Sequence, residues 1–125
     1  MARILLVEDE ENVRLLYRQE FQERGYEVVC AADGKMAVQL ASDVSPDVVI
    51  MDINLPEKMD GLESMCKILG HDRNIPVIIN TGYSEYQDNF MSWAADAYVL
   101  KSADVGPLID AVEQALQKGG AAGVS

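Results

Sequence analysis

The chain has 125 residues, 49% of them hydrophobic and 25% charged, which suits one compact domain with a single core. Ten Lys and Arg against 21 Asp and Glu leave a net charge of −11, which argues against direct binding to nucleic acid, where clustered basic residues are needed. No apolar stretch approaches the ~20 residues of a membrane span, and the start, Met-Ala-Arg-Ile-Leu-Leu-Val-Glu-Asp, turns acidic too soon for a signal peptide. The expected compartment is therefore the cytoplasm, where Cys30 and Cys66, which lack metal-ligand spacing, read as two half-buried thiols.

Arg3 to Val7 predicts a short strand. A helix starts within Glu8-Asp9-Glu10-Glu11-Asn12, since acidic residues suit the positive end of the dipole. Val13, Leu16, Tyr17 and Phe21 recur at helical spacing, and Gly25 supplies the C-terminal stop. Tyr26 to Cys30 predicts the second strand and Asp33-Gly34 a turn. Met36, Ala37, Leu40 and Ala41 line the next helix, which gives way near Ser45-Pro46.

Asp47-Val-Val-Ile-Met-Asp52 is the stretch around which the rest is organised. Four uninterrupted apolar residues fit a strand buried on both faces, central in a parallel sheet. A loop over 53–61 follows, then a helix carrying Leu62, Met65, Cys66 and Leu69 and stopping near Gly70. Pro76 to Asn80 is another buried strand, closed by Thr81-Gly82. Ser84 to Ala95 reads as a helix with an irregular apolar face, and Ala97 to Leu100 as the fifth strand, ending at Lys101. Val105, Leu108, Ile109, Val112 and Leu116 mark the last helix. Residues 119–125, rich in Gly and Ala, read as a flexible tail or the start of a linker after a domain over 1–118.

Five strand–helix repeats imply an α/β fold with right-handed crossovers, a doubly wound five-stranded parallel sheet in the order 2-1-3-4-5, flavodoxin-like. In such sheets ligands bind at the carboxyl ends of the strands. That edge collects Glu8 and Asp9 from the first strand, Asp52 from the third, Thr81 from the fourth and Lys101 from the fifth. Taken singly, each has an ordinary explanation as a cap, turn residue or solvated charge. Four strand ends meeting on one edge make coincidence a poor account.

Three carboxylates in one partly desolvated site repel one another unless a cation neutralises them. An all-oxygen set without His or Cys suits a hard ion, Mg²⁺ or Mn²⁺. Lys101 adds a fixed positive charge and Thr81 a hydroxyl donor. The set therefore describes a pocket for a phosphoryl group, with Asp52 as the nucleophile that forms an acyl phosphate.

These residues resemble the receiver domain of two-component response regulators over residues 2–118. The matching pieces are Ile-Leu-Leu-Val-Glu-Asp-Glu-Glu, Pro-Asp-Val-Val-Ile-Met-Asp-Ile-Asn-Leu-Pro followed by Met-Asp-Gly-Leu, Pro-Val-Ile-Ile-Asn-Thr-Gly, and Ala-Asp-Ala-Tyr-Val-Leu-Lys. The resemblance implies a phosphoacceptor, not an enzyme on a separate substrate, with at most self-catalysed phosphorylation and dephosphorylation. It implies that Asp52 is phosphorylated by a histidine kinase or phosphotransfer protein. It implies Mg²⁺ on Asp9, Asp52 and the backbone carbonyl of Asn54, with Glu8 acting through water. Thr81 and Lys101 would contact the phosphoryl group, Tyr98 would change rotamer on activation, and Asn54 and Tyr83 would line the route of the hydrolytic water. Partner binding or self-association as a homodimer is expected on the 84–118 face.

Three departures stand out. Glu57-Lys58 lengthens the loop after Asp52, Ser102 stands where a proline in cis linkage is usual, and Gly82 replaces the usual alanine. A flavodoxin would need a Gly- and hydroxyl-rich phosphate loop where this chain has Glu-Asp-Glu-Glu. A haloacid-dehalogenase-like phosphatase would carry its Asp-x-Asp after the first strand. The output is open: the domain either acts alone on a partner or belongs to a longer regulator.

Overall fold

Within the apolar strands, alternate side chains must find cover on opposite faces of the sheet. Leu5 and Val7 of the first strand pack to one side and Ile4 and Leu6 to the other, and all four are buried. The computed structural model describes residues 2–52, 61–72, 74–82 and 95–124, with the backbone alone for 61, 62 and 118–124. Its elements are β1 (Arg3–Val7), α1 (Glu11–Glu23), β2 (Glu27–Ala31), α2 (Gly34–Val44), β3 (Val48–Met51), α3 (Gly61–His71), β4 (Val77–Thr81), β5 (Ala97–Leu100) and α4 (Gly106–Val124). Of the predicted loop over 53–61, residues 53–60 lie outside the described residues and Gly61 is already the first residue of α3; the predicted helix from Ser84 and the expected roles of Asn54 and Tyr83 lie outside the described residues, save for Ala95.

The five strands are parallel in the order β2-β1-β3-β4-β5, as the strand–helix alternation implies. β3 lies between β1 and β4, and all of its residues are buried. On one face, α2 and α3 cover Leu5, Val7, Val49, Met51, Val77 and Ile79 with Ala37, Met65 and Ile68. On the other, α1 and α4 cover Ile4, Leu6, Val48, Ile50 and Ile78 with Tyr17, Phe21, Leu108 and Val112. Phe21 also meets the Tyr26 ring edge-on at 5.9 Å. Burying a side chain of this size is worth about 1.5–3 kcal/mol, so both faces contribute strongly.

The α1 terminus is a Schellman motif. Gly25 takes φ +90, its amide donates to Gln22 O, and the amide of Tyr26 donates to Phe21 O. Asp33-Gly34, read as a turn, is the N-terminus of α2: the Asp33 carboxylate accepts the Met36 amide at 2.8 Å. Ser45 adopts the left-handed conformation at the end of α2, before Pro46.

Three residues assigned to apolar faces point elsewhere. Leu16 and Met36 are exposed by 47% and 46%, and Cys66 is exposed rather than half-buried. In α1 the covered positions are Tyr17 and Phe21, four apart, and Leu16 falls outside that narrow stripe. In α3 the buried positions are Ser64, Met65 and Ile68, which turns Cys66 outward. Cys30 is half-buried as expected.

Two aspartates at the sheet's other edge act as clamps that the sequence reading missed. The Asp47 amide donates to Arg3 O at 2.8 Å while its carboxylate accepts the Arg3 amide at 2.7 Å. Asp96 makes the same pair with Val77, at 2.7 and 2.9 Å. Each extends a parallel ladder by one step and fixes the register that brings the strand ends level at the site. The backbone of α4 is helical to Val124, across the 119–123 stretch expected as a tail.

Candidate functional site

The ladders continue past the strands. The Glu8 amide donates to Ala31 O at 3.0 Å, the Asp52 amide to Val7 O at 3.2 Å, and the Lys101 amide to Thr81 O at 2.8 Å. Residues far apart in sequence are therefore held by backbone bonds at the same edge, and their side chains inherit the rigidity of the sheet. Glu8, Asp52 and Thr81 are buried, with relative exposures of 1%, 5% and 0%. Asp9 is exposed at the rim.

Lys101 reaches back across this edge. Its Nζ lies 2.7 Å from Glu8 Oε1 and 2.8 Å from Asp52 Oδ2. The sequence placed Lys101 beside Asp52; its bond to Glu8 was not foreseen. Burial alone would lower the Lys101 pKa, but the hydrogen bonds and charges of Asp52 and Glu8 outweigh it and hold the ammonium well above its ordinary value. Glu8 is pushed up, chiefly by burial, against the pull of Lys101 and of the Glu10 amide, which donates to Glu8 Oε2 at 3.1 Å. One lysine therefore only partly compensates the buried acids.

One carboxylate oxygen each from Glu8, Asp9 and Asp52 lie within 4.8 Å of one another. Two like charges about 4 Å apart repel by roughly 4 kcal/mol at an effective dielectric of 20. The donor set is all oxygen, so it fits Mg²⁺ or Mn²⁺ rather than a softer metal. Glu10, not Glu8 or Asp9, is the N-cap of α1, and its own side chain makes no capping bond; Glu8 reaches the helix start only through the Glu10 amide.

Thr81 Oγ1 is buried and has no hydrogen-bond partner among the described residues. Leaving a hydroxyl so costs about 1–3 kcal/mol. An incoming group rich in acceptor oxygens would satisfy it. Tyr98, half-buried, pairs with Ile79 in the β4–β5 register and packs against the α2–α3 side of the core. Thr81 lies two residues beyond Ile79, so Thr81 and Tyr98 are diagonal neighbours on one face. No described peptide bond is cis, that between Lys101 and Ser102 included. Among the described residues, an added Cβ on Gly82 would meet nothing within 4 Å. His71, whose polar surroundings in the sequence suggest an exposed loop position, is exposed but is the last residue of α3.

Arg14, which the sequence reading passed over, donates from Nη1 to the carbonyl of Glu8 at 2.8 Å. Its signal was a cation near the start of a helix, where the dipole disfavours one.

The description "Response regulator receiver domain" matches residues 4–113. The regulatory protein AtoC of Escherichia coli is 40% identical over 117 residues, 92% of this chain but 25% of AtoC. Sporulation initiation phosphotransferase F of Bacillus subtilis is 33% identical, with 91% of this chain covering 93% of that protein. The chain spans 57% of the transcriptional regulatory protein PdtaR of Mycobacterium tuberculosis. Among solved structures, the response regulator TrrA of Thermotoga maritima with Mg²⁺ and BeF superposes with TM-score 0.89 at 40% identity, covering 93% of this chain and all of TrrA. TrrA bound to the histidine kinase ThkA gives 0.86, covering 93% of this chain and 99% of that one.

Proposed function

The chain belongs to the response regulator receiver domain family, and from that premise we propose that it is the phosphoacceptor switch of a two-component system with Asp52 as the acceptor. The observation that carries this reading is the Asp52 carboxylate, buried at the end of β3 and bonded to Lys101, with Glu8 and Asp9 beside it and, on the next strand, a Thr81 hydroxyl with no partner among the described residues.

In the proposed reaction an Asp52 oxygen attacks the phosphorus of a phosphohistidine on a histidine kinase or phosphotransfer protein. The new O–P bond forms as the N–P bond breaks, and the leaving imidazole takes up a proton from water. Lys101 moves its ammonium from the carboxylate to the phosphoryl oxygens, and Thr81 donates its hydroxyl to another of them. Asp9 and Asp52, with the Asn54 carbonyl and with Glu8 through water, would hold Mg²⁺ or Mn²⁺, which would supply the charge neutralisation that an anion needs to approach three carboxylates. Hydrolysis returns the free acid, with Asn54 and Tyr83 beside the path of the water. The chain thus catalyses at most its own phosphorylation and dephosphorylation.

Output passes through Tyr98 and the 84–118 face, by docking a partner or a second copy of the chain. The setting is cytoplasmic, and no described helix is long and apolar enough to cross a membrane. Residues 119–125 would serve as a tail or the start of a linker, since each of the glycines in that stretch weakens a helix by about 1 kcal/mol and the helical backbone of α4 there can fray. The test is incubation with Mg²⁺ and acetyl phosphate. Intact mass should show one added phosphate, absent in Asp52→Asn; uptake at the normal rate by that variant would overturn the assignment.

A further inference from the structure

Arg14 sits at the start of α1 and is half-buried. Its guanidinium turns back toward β1: Nη1 donates to Glu8 O at 2.8 Å and lies 3.5 Å from Asp9 O. Glu8 has other anchors, its amide on Ala31 O and its carboxylate on Lys101 and the Glu10 amide. Asp9 is exposed and follows the last residue held by the β1–β2 ladder. The direction of its carboxylate is set by the peptide planes on either side, and those planes carry the two carbonyls that face Arg14.

We propose that Arg14 is a positioning residue for the divalent-cation site, holding the loop between β1 and α1 so that the Asp9 carboxylate stays beside Glu8 and Asp52. The inference rests on the metal-site reading above and adds a residue to it. Two effects oppose each other. A guanidinium near the site repels a cation, but at a half-exposed position that repulsion is screened. Fixing the loop lowers the ordering cost of each binding event, and such supporting bonds are commonly worth 10–100-fold in metal affinity. Positioning therefore prevails, and loss of Arg14 weakens metal binding.

The test is calorimetric titration of Mg²⁺, at fixed ionic strength, into the full chain and its Arg14→Met, Arg14→Gln, Arg14→Lys and Asp9→Ala variants, with thermal unfolding in EDTA alongside. Arg14→Met should bind Mg²⁺ about tenfold more weakly and lose most of the Mg²⁺-induced rise in melting temperature. Arg14→Gln carries the same expectation where Met costs too much stability. Arg14→Lys, which keeps the charge and a donor that can reach a carbonyl, should recover most of the affinity, which a general loss of stability would not produce. Unchanged or tighter Mg²⁺ binding in both neutral variants, with binding abolished in Asp9→Ala, overturns the role of Arg14 and leaves the metal site standing. Equal binding by wild type and Asp9→Ala overturns both.

Discussion

The amide of Lys101 donates to the carbonyl of Thr81 at 2.8 Å, so the residue whose ammonium holds Asp52 and the residue whose hydroxyl stands unpaired are joined through one backbone bond. The bond is the final rung of the β4–β5 ladder, whose last residue pair is Thr81 and Leu100. A shift of Thr81 toward a phosphoryl oxygen therefore pulls on the strand end that carries Lys101. The two groups proposed to bind the phosphoryl oxygens move on a common frame.

Lys101 is also the internal cation of the resting site, and its removal has a defined cost. Lys101→Met takes from the neighbouring Glu8 and Asp52 carboxylates the ammonium that both contact. Breaking a fully buried pair costs about 3–5 kcal/mol; with a partly exposed lysine, roughly 1–3 kcal/mol is expected. Urea unfolding in EDTA should show that loss. Mg²⁺ should restore more stability to the variant than it adds to the wild type, because the ion takes over the neutralising role. An equal loss with and without Mg²⁺ would count against a shared site.

The pH dependence follows from Glu8, whose carboxyl is raised above its ordinary 4.5, mainly by burial. An acid with a raised pKa holds more protons folded than unfolded between the two values, so stability falls as pH rises through that window. The contribution is fully present below the unfolded value and is lost as pH climbs through the folded one. Glu8→Gln removes it. In EDTA, the unfolding free energy of the wild type minus that of Glu8→Gln should decline from about pH 4.5 upward and then level off. A difference that is constant or grows over the same range would show that burial does not govern Glu8.

Much of this was legible in the sequence, for identifiable reasons. β3 is an unbroken apolar run and β4 opens with one, Val77 to Ile79, so their burial and central place followed directly, and with them the positions of Asp52 and Thr81. The helix faces were less legible, because apolar content does not fix which stripe is covered: Leu16 and Met36 look like core residues and face outward. Asp33-Gly34 has the composition of a turn, and only the hydrogen bond to the Met36 amide marks it as a helix cap. The site was visible as a set of strand ends, but its internal wiring was not. Spacing cannot say that Lys101 bridges Glu8 as well as Asp52, or that Arg14 folds back onto the Glu8 carbonyl.

Thr81→Val separates the switch from the fold. The Thr81 hydroxyl is buried without a partner among the described residues, so replacing it with a methyl group of nearly the same shape removes a desolvated polar atom at little steric cost. The unphosphorylated variant should be as stable as wild type or more so, by up to about 1 kcal/mol. Beryllofluoride with Mg²⁺ mimics the phosphoryl group, and in wild type its fluorines would accept the Thr81 hydroxyl and draw the residue inward. Tyr98, the diagonal neighbour of Thr81 and half-buried at the edge of the α2–α3 core, would turn into the space released. The valine has no donor to be drawn. Its Tyr98 ring resonances should therefore keep their resting positions on addition of beryllofluoride, while those of wild type shift. A gain in stability alone would show only that the hydroxyl is unsatisfied. An unaltered Tyr98 shift in Thr81→Val would break the proposed link between the two residues, because the ring would then be responding to the phosphoryl mimic through a route that does not pass through the hydroxyl.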